Sequence, residues 1–80
     1  MTVARLLLFG PAREAAGVAS ATLAGRDVSE VIAAAEARYG EEFCKVLAVS
    51  KVWLNGDVVA PHTPVDDSDE VAVIPPVSGG

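Results

Sequence analysis

The sequence has one cysteine, Cys44, which excludes a disulfide framework and a thiolate metal knuckle, because both need cysteines in pairs. A reducing cytoplasm is the simplest expectation for its compartment. It has one histidine, His62, in a Pro-flanked stretch, so no nucleophile–base–orienter set can be assembled from its side chains. Cations are scarce. Six Lys and Arg face eleven Asp and Glu, a formal charge of −5. That argues against a nucleic-acid binder, which needs clustered cations on phosphates, and against an anionic membrane surface, while a basic protein partner is compatible. No segment approaches the ~20 apolar residues that span a bilayer. The first ten residues hold only a short apolar run, and they lack the cleavage site of a signal peptide. A phosphate-binding Gly-Lys-Ser/Thr run is missing, as are repeats and low-complexity tracts. Eighty residues make one domain at most, too small for a deep active site of its own. The hydrophobic fraction of 51% is that of a folded chain rather than a disordered one.

What is present reads as alternating short elements. Residues 3–9 (VARLLLF) form a strand that Gly10-Pro11 stops. Residues 11–16 allow one or two helical turns before Gly17, and residues 18–23 (VASATL) give an edge strand. Asp27 with Glu30 three residues on resembles a capping box. Val28, Val31, Ile32, Ala35 and Tyr39 then repeat at helical spacing, and Gly40 offers a left-handed stop. Glu41–Ala48 adds a short helix with Phe43, Val46 and Leu47 turned inward. Lys51–Leu54 and residues 57–59 flank Asn55-Gly56, a hairpin signal because both turn positions need positive φ. The acidic run Asp66, Asp67, Asp69 and Glu70 makes a polar turn before a last strand, Glu70–Ile74. Two hairpin-like pairs around one main helix predict an α+β domain with a mixed five-stranded sheet. The two most apolar strands, the first and the last, should lie side by side at its centre. This is the ubiquitin-like β-grasp, expected over residues 1–74, with residues 75–80 as a flexible C-terminal Gly-Gly tail.

Alternation along the strands assigns the faces. Ala4, Leu6 and Leu8 share one face and Arg5, Leu7 and Phe9 the other; Arg5 is hard to bury, so its face is expected to meet solvent. If Val71 and Val73 point at the helix, Ile74 is exposed near Phe9. An exposed apolar patch on a small domain marks an interaction surface, whereas scattered surface hydrophobes carry no meaning. The interaction reading is favoured because the patch lies at the root of the tail.

Candidate chemistry is sparse elsewhere. Cys44 reads as a small hydrophobe and His62 as a surface residue. The acidic run lacks the spaced ligands and central glycine of a calcium loop, so no metal site is expected. Arg13 beside Glu14 reads as a local ion pair before it reads as an anion ligand. The chain end is the informative feature. Pro75 and Pro76 prevent further strand pairing. Val77, Ser78, Gly79 and Gly80 follow, and two glycines present a carboxylate on a thin lead that bulky side chains would block. Extended, residues 75–80 reach ~20 Å, enough to enter a partner's active site. A carboxylate is a poor electrophile, so chemistry at Gly80 needs activation, for example as an acyl-adenylate that a sulfur nucleophile converts to a thiocarboxylate.

Three segments carry a resemblance to a known family: LLLFGPAREAAG (residues 6–17), VWLNG (residues 52–56) and above all DSDEVAVIPPVSGG (residues 67–80). The chain resembles the small subunit of molybdopterin synthase, also called molybdopterin-converting factor subunit 1. The resemblance implies that an ATP-using enzyme adenylates Gly80, with no cofactor bound by this chain itself, and that a sulfur donor makes the thiocarboxylate. Pro75, Pro76, Val77, Ser78 and Gly79 would thread into the large subunit. Sulfur would pass there to cyclic pyranopterin monophosphate to form the molybdopterin dithiolene, in a heterotetramer whose catalytic side chains belong to the large subunit. This chain would be a non-catalytic, sulfur-donating subunit of a transferase complex. By position, Phe9, Val58 and Ile74 would contact the partner, and Arg13 would help position the tail. The family often has an aromatic residue where Ile74 stands. Competing readings are a sulfur carrier for thiazole, cysteine or transfer-RNA thiolation, a ubiquitin-like protein modifier, and a plain binding module with an idle tail.

Overall fold

A computed structural model describes residues 2–76. The elements run β1 (Val3–Leu8), α1 (Gly10–Ala16), β2 (Ser20–Ala24), α2 (Val28–Tyr39), α3 (Glu41–Ala48), β3 (Lys51–Leu54), β4 (Asp57–Val58) and β5 (Glu70–Ile74). One mixed five-stranded sheet has the order β2-β1-β5-β3-β4. The first and last strands are its parallel centre, with Leu6 beside Val71 and Leu8 beside Val73. The other neighbours are antiparallel. This is the β-grasp arrangement expected from the element order.

The core forms where the inner sheet face meets the helices. Ala4, Leu6, Leu8, Val71 and Val73 are buried from the sheet, and Val28, Val31 and Ala35 from α2. Phe43 of α3 is wholly buried and stacks at a tilt on Tyr39, ring centroids 5.3 Å apart. Burying a side chain of the size of Leu6 or Phe43 contributes about 2–3 kcal/mol. The helical layer is therefore more than one helix, because α3 supplies the largest fully buried side chain.

The expected helix start is present. Asp27 caps α2 by accepting from the Glu30 amide at 2.9 Å, and Glu30 reaches back to accept from the Arg26 amide at 2.9 Å. The helix end differs from expectation. Gly40 has a positive φ of 85° but an extended ψ of −164°, so it is not a left-handed helical stop. It turns the chain straight into α3, of which it is also the N-cap residue. Strand ends shift by one or two residues: β1 ends at Leu8, β2 starts at Ser20 and β4 stops at Val58.

Candidate functional site

The outer face of the sheet, opposite the helices, is built by strand register. Leu7 pairs with Ala72, Ala72 with Trp53, and Trp53 with Val58, so one apolar row crosses four strands. Phe9 follows Leu8, whose partner Val73 precedes Ile74. Phe9 and Ile74 therefore occupy the next row, which Lys51 of β3 completes. Phe9 is 48% exposed and Val58 74% exposed.

Two expectations need correction. Leu7 and Ile74 are half-buried rather than exposed. They sit on the central strands β1 and β5, where neighbours on both sides shield them, whereas Phe9 lies past a strand end and Val58 on the edge strand. The three expected contact residues do share the outer face. Phe9 and Ile74 are adjacent, and Val58 lies two strands from β5, about 10 Å away, with Trp53 between.

Sequence reading placed Leu7 on this face but did not single out Trp53, which joins the outer patch into one surface. Its place there is set by its register with Ala72 of β5, a neighbour distant in sequence. The Trp53 indole Nε1 is buried and, among the described residues, has no hydrogen-bond partner. The face changes character at its other end. There Arg5 and Glu70 pair at 3.8 Å, both largely exposed, an arrangement that adds little stability.

β5 ends at Ile74, Pro75 is buried and Pro76 exposed. The backbone therefore leaves the sheet beside Phe9 and Ile74. Val77, Ser78, Gly79 and Gly80 lie outside the described residues. Helix α1 begins straight after Phe9 and packs against the end of β5. Arg13 is exposed on it and lines a shallow hollow of about 440 Å³ with Gly10, Pro11 and Glu14. It stands at the same end of the sheet as the chain exit. No ion pair joins Arg13 to Glu14 among the described residues.

The acidic turn is an ordered hydrogen-bonded unit. Asp66 accepts from the Ser68 hydroxyl at 2.7 Å and the Ser68 amide at 2.9 Å, which hold its carboxyl below the ordinary value. Asp69 accepts from the Asn55 side-chain amide and the Asp66 amide, both at 2.8 Å. Asp67 accepts from the Val3 amide at 3.2 Å. Among the described residues, no group of three or more His, Cys, Asp and Glu side chains could hold a metal ion. No helix among them is long and apolar enough to cross a membrane. Cys44 is half-buried on α3, and His62 is exposed, 3.9 Å from the Asp27 carboxylate.

A small β-grasp domain with an apolar outer face at the root of its C-terminal segment is the architecture of a ubiquitin-like carrier. Residues 6–80 match the model of the ThiS family, and the chain belongs to that family of ubiquitin-like sulfur carriers. A comparison with curated protein sequences finds no match. Among solved structures, it resembles small archaeal modifier protein 1 from Haloferax volcanii, with a TM-score of 0.86 and 24% identity over 98% of this chain and 99% of that one. The same modifier from Methanosarcina acetivorans gives 0.82 and 26% identity over 100% and 98%. The complex of subunits 1 and 2 of molybdopterin-converting factor from Helicobacter pylori gives 0.72 and 25% over 98% and 99%.

Proposed function

We propose that this chain is the sulfur-carrying small subunit of a molybdopterin synthase, working in a reducing cytoplasm. The observation that carries the reading is the meeting of Phe9, Ile74 and the chain exit at Pro75-Pro76 at one end of the sheet. A large subunit seated on Phe9, Ile74, Trp53 and Val58 would aim residues 77–80 into its own active site, with Arg13 beside the entrance. The Helicobacter pylori structure, a complex of subunit 1 with subunit 2 of molybdopterin-converting factor, supports a partner of this kind.

The chemistry follows from the carboxylate at Gly80. Its oxygen attacks the α-phosphate of ATP on an activating enzyme, and pyrophosphate leaves. A persulfide on a donor protein then displaces AMP from the acyl-adenylate to form an acyl disulfide, and a thiol attacks the donor-side sulfur of that bond, releasing the thiocarboxylate at Gly80 and leaving a disulfide on the donor. Two loaded chains supply the two sulfurs of the dithiolene made from cyclic pyranopterin monophosphate, and the arrangement is a heterotetramer. The large subunit provides the catalytic side chains.

The test is reconstitution of the chain, bearing a thiocarboxylate at Gly80, with a large subunit from the same host and cyclic pyranopterin monophosphate. Thiocarboxylate-dependent molybdopterin is expected. No product from a large subunit shown competent with another small subunit would overturn the reading. The likeness to small archaeal modifier protein 1 favours a second reading, a modifier joined to protein lysines. It predicts Gly80-linked isopeptides in host lysates, whereas the first reading predicts none.

A further inference from the structure

The two edges of the sheet are not alike. The β4 edge is two residues long, begins with Asp57 and runs on toward Pro61 and Pro64, features that discourage strand addition. The β2 edge is five residues long, SATLA, with no charge and no proline.

The backbone polarity of β2 follows from its pairing with β1. The Leu8 amide donates to the Ala19 carbonyl at 2.9 Å, and the Gly25 amide donates to the Thr2 carbonyl at 3.0 Å. Hydrogen-bonded pairs alternate in an antiparallel ladder, so Leu6–Ala21 and Ala4–Leu23 are also bonded pairs. The N–H and C=O groups of Ser20, Thr22 and Ala24 consequently point away from β1. Among the described residues no strand pairs with them. Their side chains lie on the outer face, and all three residues are exposed.

We propose that this edge pairs with the same edge of a second copy of the chain. The open groups are centred on Thr22, so antiparallel pairing about a two-fold axis sets Thr22 against Thr22 and Ser20 against Ala24 on both sides. Each facing pair exchanges two backbone hydrogen bonds, and every open group of β2 is satisfied. Threonine opposite threonine is a favourable cross-strand pair. The register brings no like charges together, although each copy carries −5 overall: Arg26, just past β2, falls opposite Val18. The axis is perpendicular to the sheet. Both helical layers therefore stay on one side, both Phe9–Ile74 surfaces stay open on the other, and the two chain exits point to opposite ends. Self-pairing is thus compatible with partner binding through the outer face and does not depend on it.

Sedimentation velocity of the full chain over a concentration series tests this. A mass rising from 8.2 kDa toward twice that value is expected for the wild type. Thr22→Pro removes an amide that β1 does not use, and Thr22→Lys sets like charges across the axis. Each should weaken dimerisation about tenfold or more with unchanged far-ultraviolet circular dichroism. If Thr22→Pro does not fold, Thr22→Lys decides. Phe9→Asp should dimerise like the wild type. A wild type that stays monomeric throughout would overturn the proposal. So would undiminished dimerisation of the folded Thr22 variants, or a dimer lost on Phe9→Asp, which would place self-association on the outer face.

Discussion

The side chain of Asn55 binds the acidic turn from both of its ends: its amide donates to Asp69 Oδ1 at 2.8 Å, and its carbonyl oxygen accepts from the Glu70 amide at 2.9 Å. The same residue holds φ at 51° in the β3–β4 turn. One asparagine thus sets the hairpin and ties the start of β5 to it. Asn55→Gly keeps the positive φ and loses the tie, and should cost about 1 kcal/mol. Asn55→Ala loses both and should cost about 2–3 kcal/mol. Urea titration of the two variants separates the contributions. Equal losses would mean that the turn conformation adds nothing.

Phe9 has no role in the buried core, so Phe9→Asp should leave the fold and its thermal midpoint nearly unchanged. Burying that carboxylate against an apolar partner surface should weaken binding to the large subunit by about a hundredfold, which titration calorimetry reads directly. Unchanged affinity would remove Phe9 from the interface.

Deleting Gly79 and Gly80 removes the proposed reactive end and keeps every described residue of the chain. The truncated chain should show the same circular dichroism and unfolding midpoint, bind the large subunit through its outer face, and transfer no sulfur. Molybdopterin made by the truncated chain would contradict the carrier role.

Much of this surface was legible from alternation alone. Arg5 could not be buried, which put Ala4, Leu6 and Leu8 inward, and the structure buries all three. The pairing of β1 with β5 followed from their being the most apolar strands. What could not be read was set by neighbours distant in sequence. Trp53 belongs to the outer row only through its register with Ala72 and Val58, and Leu7 is half-covered only because β2 and β5 flank it. Gly40 announced a break, but whether it ends a helix or bends the chain into the next depends on where Phe43 finds its pocket.

Asp27 links the fold to pH. Its carboxylate accepts from the Ser29 hydroxyl at 2.7 Å and the Glu30 amide at 2.9 Å, which hold its pKa below the ordinary 3.8. The unfolded chain therefore binds this proton more readily than the folded one. The stabilisation is fully present above the ordinary value and is lost as pH falls through the lower folded value. Asp27→Asn keeps a capping oxygen and removes the titration. The stability gap between wild type and Asp27→Asn should be widest above about pH 5 and should narrow in stronger acid, as urea midpoints will report. A gap that is constant with pH would show that Asp27 does not contribute to the acid limb.

The position of β5 has a mechanical meaning. A partner that draws in the C-terminal segment pulls along the axis of a strand hydrogen-bonded on both flanks, to β1 and to β3. That load is a shear, shared by all the rungs of two ladders at once, rather than a peeling force that opens them one after another. The strand that leads to this segment is therefore the part of the domain best able to resist traction, and in the proposed carrier role insertion and withdrawal would leave the rest of the molecule in shape.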